Sequence, residues 1–255
     1  MPSLVHYAVE GPVARITLDS PDNRNALSTK LVNQLHQAFT EATEEAGVRS
    51  VVLDHTGGTF CAGADLAEAA GRDPGDVAVD RARELTQLLR RILKLPIPVI
   101  AAVDGHVRAG GLGLVGACDI AVAGQASTFA LTEARIGVAP SIISLTLLPK
   151  MTARSAGRYF VTGEKFGAAE AAEMGLITIS ADDVKATVAS LTATIGKASP
   201  QGLAASKALT TAAILESFDR HAEELTEQSA RLFVSEEARE GMLAFLQKRP
   251  ANWAN

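Results

Sequence analysis

Residues 13–18, Val-Ala-Arg-Ile-Thr-Leu, alternate as a half-buried strand does. The cluster at 20–25 (Ser-Pro-Asp-Asn-Arg-Asn) is a turn. Ser28 is placed to cap a helix in which Leu31, Leu35, Ala38, Phe39 and Ala42 share one face, and Gly47 closes it. Val51 to Leu53 is a short, wholly apolar strand, which predicts burial on both faces. A Gly-bearing loop at 56–65 and a polar piece at 71–76 follow, and a helix is expected from about Asp80 to Lys94. Further strands are predicted at 98–103, 119–123 and 128–131, with a small-residue buried helix at 112–118.

Beyond about residue 140 the pattern turns helical. Thr152, Ser180 (with Asp182 and Asp183 after it) and Ser199 are break or cap signals. The last long helices are expected at about 216–233 and 236–248. Strands therefore come first and a helical tail second: an α/β core over 1–195 and a C-terminal helical region over 196–255. The tail is amphipathic, and its apolar face needs either the core or another subunit as partner.

Composition narrows this little. Of 255 residues 47% are apolar and 21% charged, as in an ordinary soluble domain, and a net charge of −5 disfavours non-specific nucleic-acid binding. No signal peptide and no long apolar span is read from the chain, so a cytoplasmic protein with no membrane partner is the expectation. The two cysteines, Cys61 and Cys118, form no metal or disulfide pattern, and the five histidines form no HxxxH pair.

Two glycine-bearing loops, each after a buried strand, carry the candidate chemistry. One is Phe60-Cys61-Ala62-Gly63-Ala64-Asp65-Leu66; the other runs from Asp104 to Gly113 through Ala109-Gly110-Gly111. Small side chains let a ligand approach the main chain, and free N–H groups at such turns and at a helix N-terminus stabilise developing negative charge. Two such loops meeting in space make an oxyanion hole.

Gly111-Leu112-Gly113-Leu114-Val115-Gly116 also matches the dinucleotide fingerprint GxGxxG. Its context is wrong, because seven residues separate the strand ending at Val103 from Gly111. Glu133, among apolar residues at the end of a strand, is a candidate acid/base; the competing readings are a salt bridge to Arg135 or a helix-start acid. Ser141 and Ser144 lack a nucleophile-elbow setting.

Taken together these segments resemble the crotonase, or enoyl-CoA hydratase/isomerase, family. The resemblance rests on Asn23 to Leu27, Phe60 to Leu66, Pro98 to Gly105, Gly110-Gly111, Ala117 to Ile120, Thr128-Phe129 leading to Glu133, Thr162 to Glu164, Ala168 to Ala171 and Lys248 to Pro250. It implies a ββα spiral core followed by helices that trimerise, as a homotrimer or a dimer of trimers. It also implies an acyl-CoA substrate and no cofactor beyond that CoA. Arg24 and Ala26 would lie along the pantetheine or phosphate end; Ala62, Ala64, Asp65 and Leu66 would surround the adenine. The oxyanion donors carry over to the N–H groups of Ala64 and Gly110, and the catalytic carboxylate to Glu133.

One departure stands out. Hydratases of the family pair two glutamates, and where the first would stand this chain has Gly113. It resembles methylglutaconyl-CoA and isohexenylglutaconyl-CoA hydratases there, in the Gly-Leu-Val stretch and the run from Glu133 to Ser144. The implied activity is reversible addition of water to an α,β-unsaturated acyl-CoA with a single glutamate, Gly113 leaving room for a substrate group. The alternatives are an isomerase or another enolate-forming enzyme, and a CoA-binding paralogue without catalysis. The acyl pocket is expected from the 71–80 loop, the helix after it, and residues 141–148.

Overall fold

In the computed structural model, which describes residues 3–65, 68 and 74–254, successive turns of the chain lay one strand in each of two sheets. The chain starts with an antiparallel hairpin of β1 (Val5–Glu10) and β2 (Val13–Leu18), then α1 (Thr29–Glu44). Three strand-strand-helix turns follow. They are β3 (Ser50–His55), β4 (Thr59–Cys61) and α2 (Pro74–Lys94); β5 (Val99–Val103), β6 (His106–Arg108) and α3 (Gly110–Ala117); and β7 (Ile120–Gly124), β8 (Thr128–Ala130) and a 3-10 turn, Glu133–Ile136, leading into α4 (Ser141–Leu147). Next come α5 (Ala153–Thr162), β9 (Phe166–Gly167), α6 (Ala168–Glu173), β10 (Ile179–Ala181), α7 (Val184–Ile195), α8 (Pro200–Phe233) and α9 (Glu236–Leu246).

The larger sheet has the order β1-β2-β3-β5-β7-β10 and the smaller β4-β6-β8-β9. From β2 to β10 the larger sheet is parallel. This is the ββα spiral with its helical tail.

Alternation explains why the central strands read as continuous apolar runs. Val51 and Leu53 of β3, Val99, Ala101 and Val103 of β5, and Ala121 and Ala123 of β7 face the main core. Val52, Ile100 and Val122 point the other way, into a second cluster closed by Val188 and Leu191 of α7. Both faces of the sheet are covered, so the central positions of these strands are apolar.

Four boundaries differ from the sequence reading. β1 has only Val5 buried, so its apolar pattern is faint, as befits an edge strand. α2 starts at Pro74 rather than near residue 80, proline being suited to a first helical position; residues 71–73 of the polar piece lie outside the described residues. Ser180 sits inside β10, and Asp183 is the cap of α7, accepting from Ala186 N–H. α8 starts at Pro200 rather than 216, with Ser199 capping Gly202 N–H, and runs for 34 residues.

The tail packs on its own chain. α8 lies along α2 and α4. Lys207 of α8 is buried and donates to the carbonyls of Ile92 and Ile97 and, at 2.7 Å, to Asp119. α9 rests on the 3-10 turn with backbone nearly touching backbone: a Cβ added at Gly241 would stand 2.5 Å from the Ile136 carbonyl. A Cβ added at Gly137 (φ +78°) would stand 2.6 Å from the Glu237 carbonyl carbon. Of the two partners the sequence left open for the tail, the core takes this part of it. Among the described residues no helix is long and apolar enough to cross a membrane.

Candidate active site

Asn25 organises the first edge of the site. It is fully buried with φ 53°, next to Arg24 at φ 59°. Its Nδ2 donates to the carbonyls of Thr56 and Thr59, and its Oδ1 accepts from Ser20 N–H. Asn tolerates the left-handed region better than most residues, and here three hydrogen bonds hold it there. The turn sets residues 24–27 beside 62–65. Ala62 N–H donates to Arg24 O, Leu27 N–H to Gly63 O and Asp65 N–H to Leu27 O. Asn23 Nδ2 donates to Asp65 at 3.1 Å. Arg24, Ala26, Ala62, Ala64 and Asp65 are thus brought together; Leu66 lies outside the described residues.

This pairing also aims Ala64. Leu27 bonds the residues on either side of Ala64 in a parallel bridge, so the N–H of Ala64 itself faces away from Leu27. The second loop packs against the residue before it. An added Cβ on Gly63 (φ +90°) would lie 2.9 Å from Ala109 Cβ and 3.3 Å from Gly110 N. Gly110 is the first residue of α3, and its N–H has no intrahelical acceptor. The turn into α3 places Ala109 at φ 46°, ψ −123°, a conformation that costs a non-glycine residue about 1–3 kcal/mol. Ala109 N–H is fixed to Ala130 O at 3.1 Å.

Ala62, Ala64, Ala109, Gly110 and Glu133 line one cavity of about 510 Å³. Its apolar wall comes from Val77, Ala82 and Leu85 of α2, and Ile142 and Ile143 of α4. A third wall is the tail: Phe233 at the end of α8, Met242 and Phe245 of α9, and Arg249. Arg249 grips Glu240 with two hydrogen bonds of 2.6 and 2.8 Å, and Glu240 also accepts from Asn252 N–H. The sequence reading placed the acyl pocket on the 71–80 loop, the helix after it and residues 141–148, and missed the tail.

Glu133 opens the 3-10 turn and is 8% exposed. Burial pushes its carboxyl up to about 7, against a lesser pull from its own backbone N–H. Its Oε2 has no hydrogen-bond partner among the described residues. Arg135 does not neutralise it: the guanidinium Nε donates to Thr162 O. The salt-bridge reading is thereby set aside.

Gly113 is buried but does not line the cavity. The room expected there is taken by α4 and α2: an added Cβ would lie 2.5 Å from Ile143 Cγ2 and 3.3 Å from Leu89 Cδ1. The dinucleotide fingerprint likewise spans a helix buried throughout, reached from β6 and not directly from β5. Cys61 is buried, with its thiol pushed up to about 12 by desolvation, and packs under Gly111. Among the described residues no three His, Cys, Asp or Glu side chains gather as metal ligands.

The arrangement can hold an anionic oxygen on two main-chain N–H groups, with one near-neutral carboxyl beside it and an apolar chain against α2, α4 and α9. A family model described as enoyl-CoA hydratase/isomerase matches residues 8–255. The chain is 33% identical over 252 residues to the enoyl-CoA hydratase EchA19 of Mycobacterium tuberculosis, covering 94% of this chain and 92% of that one. A solved structure of an enoyl-CoA hydratase from Mycobacterium avium is 65% identical, with TM-score 0.93 over 99% of this chain and all of that one. One from Mycobacterium smegmatis is 31% identical, with TM-score 0.78 and 99% of each chain covered.

Proposed function

The chain belongs to the enoyl-CoA hydratase/isomerase family, and from that premise we propose that it is a hydratase-type lyase adding water reversibly to an α,β-unsaturated acyl-CoA. The observation that carries the reading is a buried carboxyl poised near neutrality in the cavity where two backbone loops meet.

The thioester oxygen accepts from the N–H groups of Ala64 and Gly110. A lone pair of water attacks Cβ, and the π pair moves toward that oxygen. One water proton passes to the Glu133 carboxylate and from there to Cα, so one water is added and Glu133 is restored. Each main-chain donor contributes about 3 kcal/mol where charge develops. Arg24 and Ala26 flank the pantetheine or phosphates, and Ala62, Asp65 and Leu66 the adenine. Gly113 serves this site only by yielding its space to Ile143. No group beyond the substrate's own CoA is needed. The protein works in the cytoplasm as a homotrimer or a dimer of trimers, with 1–195 as the catalytic core and 196–255 as the helical region.

A second reading, enoyl isomerisation, is favoured by Glu133 being the one buried carboxylate among the described residues lining the cavity, Glu84 there being half-buried and bonded to Thr29, since one base can move a proton between two carbons. Mass analysis of products from a panel of acyl-CoAs separates the two. Hydration adds the mass of water and isomerisation adds none, while release of a shorter acyl-CoA overturns both. Glu133→Gln is expected to cut turnover by orders of magnitude with CoA binding retained; near-normal turnover overturns its role.

A further inference from the structure

We propose that the Ser141 hydroxyl is the second side chain that handles water in this cavity, accepting a hydrogen bond from the O–H that remains on the product while Glu133 takes the other hydrogen. This rests on the hydration reading above and adds to it the group that orients the nucleophile.

The inference starts from unspent hydrogen-bonding capacity. Buried polar side chains are almost always paired. Among the described residues lining the cavity, two carry a buried oxygen without a partner: Glu133 through Oε2 and Ser141 through Oγ. Both residues are more than nine-tenths buried. The other hydroxyls of α4 are spent on the helix itself. Ser144 Oγ donates to Ser141 O, and Thr146 Oγ1 donates to Gly113 O and Ile143 O. Ser141 is no cap either, since the residue before α4 is Pro140 and no side chain caps that end.

Both residues line the cavity, and the backbone between them is tied by hydrogen bonds. The carbonyl of Glu133 accepts from both Gly137 and Val138 N–H, which folds the chain back after the 3-10 turn. Ser141 N–H then closes on Ala139 O at 2.8 Å. The connection between base and hydroxyl is therefore a short tied loop, not a free strand.

The chemistry needs such a group. Water attacking Cβ has to present one lone pair along the forming bond while one O–H points at Glu133. The second O–H stays on oxygen and becomes the β-hydroxyl, so an acceptor for it fixes the remaining rotation. A serine hydroxyl accepts without placing a further negative charge beside Glu133.

The test is Ser141→Ala, assayed with crotonyl-CoA and by thermal unfolding. The expected result is a kcat lower by about tenfold or more, a KM within about threefold, and a Tm equal to or above the parent, since the removed hydroxyl has no folded-state partner to lose. Unchanged kcat overturns the proposal, and so does a lower Tm with kcat unchanged, which marks the hydroxyl as structural. If the parent enzyme gives no product heavier by one water on any enoyl-CoA, the hydration reading fails and takes this inference with it. Parent hydration with an unaffected Ser141→Ala variant rejects the inference alone.

Discussion

Ile143 stands over Gly113, its Cβ 3.1 Å and its Cγ2 2.5 Å from where a Gly113 Cβ would be. The glycine is thus a packing requirement of the α3–α4 contact. A carboxylate cannot be restored at 113 by substitution there alone. Gly113→Glu is expected to lower stability by at least about 1–3 kcal/mol through overpacking, with the buried charge adding to that, and to bring no gain in hydration rate. Thermal unfolding together with a crotonyl-CoA assay checks this; a stable, faster variant contradicts it.

The pH dependence follows from Glu133, whose carboxyl burial raises from 4.5 to about 7. Between those values the unfolded chain is ionised there and the folded chain is protonated. Stability from this group is therefore full below about 4.5, falls as pH rises, and levels off above about 7, a loss of about 3 kcal/mol. Glu133→Gln removes the loss. Its Tm is expected to exceed the parent's at pH 8 and to match it near pH 4.5. Hydration, which needs the carboxylate, is expected to decline as pH drops below about 7. A Tm difference independent of pH refutes the assignment.

The seating of α9 can be broken at one atom. Gly241→Val introduces a Cβ 2.5 Å from the Ile136 carbonyl, where backbone meets backbone and neither side yields cheaply. The helix then has to lift, taking Met242 and Phe245 from the cavity wall. The expected signature is a raised KM for longer acyl-CoAs and faster proteolysis beyond residue 233. Unchanged kinetics and protease resistance count against the wall.

Lys207 and Asp119 form a buried pair at 2.7 Å, with Asp119 also accepting from Val99 N–H. Removing the lysine leaves the carboxylate without its cation. Lys207→Met is expected to destabilise the fold by about 3–5 kcal/mol while leaving the KM of the remaining folded enzyme near the parent's. Chemical denaturation measures the first and steady-state kinetics the second; a loss under 1 kcal/mol speaks against the pair.

How much of this was legible in the sequence depended on whether a residue's own pattern carried the signal. The central strands were, because two-sided burial leaves an unbroken apolar run. Ser28 and Ser199 as caps were; Glu133 stood out as an acid in an apolar setting, but its pattern served a salt bridge or a helix start equally well. β1 was not, since it buries one residue of six. The start of α8 was obscured because its first turns present mixed small and polar residues, and the tail as a cavity wall depends on a contact about a hundred residues distant. Ala109 gives no warning of its positive φ, because alanine usually avoids that region. Ser141 was discounted for lacking the setting of a nucleophile, which is not the role its geometry supports.

The two donors proposed at Ala64 and Gly110 are main-chain amides, so a side-chain substitution at either does not delete the N–H group. Intolerance to change is therefore displaced onto their neighbours. Gly63 and Gly111 touch no reacting atom, yet one admits Ala109 within 2.9 Å and the other the Cys61 carbonyl within 2.7 Å of where a Cβ would be. A saturation map of this chain would mark those two spacers as the essential positions and leave the donors themselves comparatively pale.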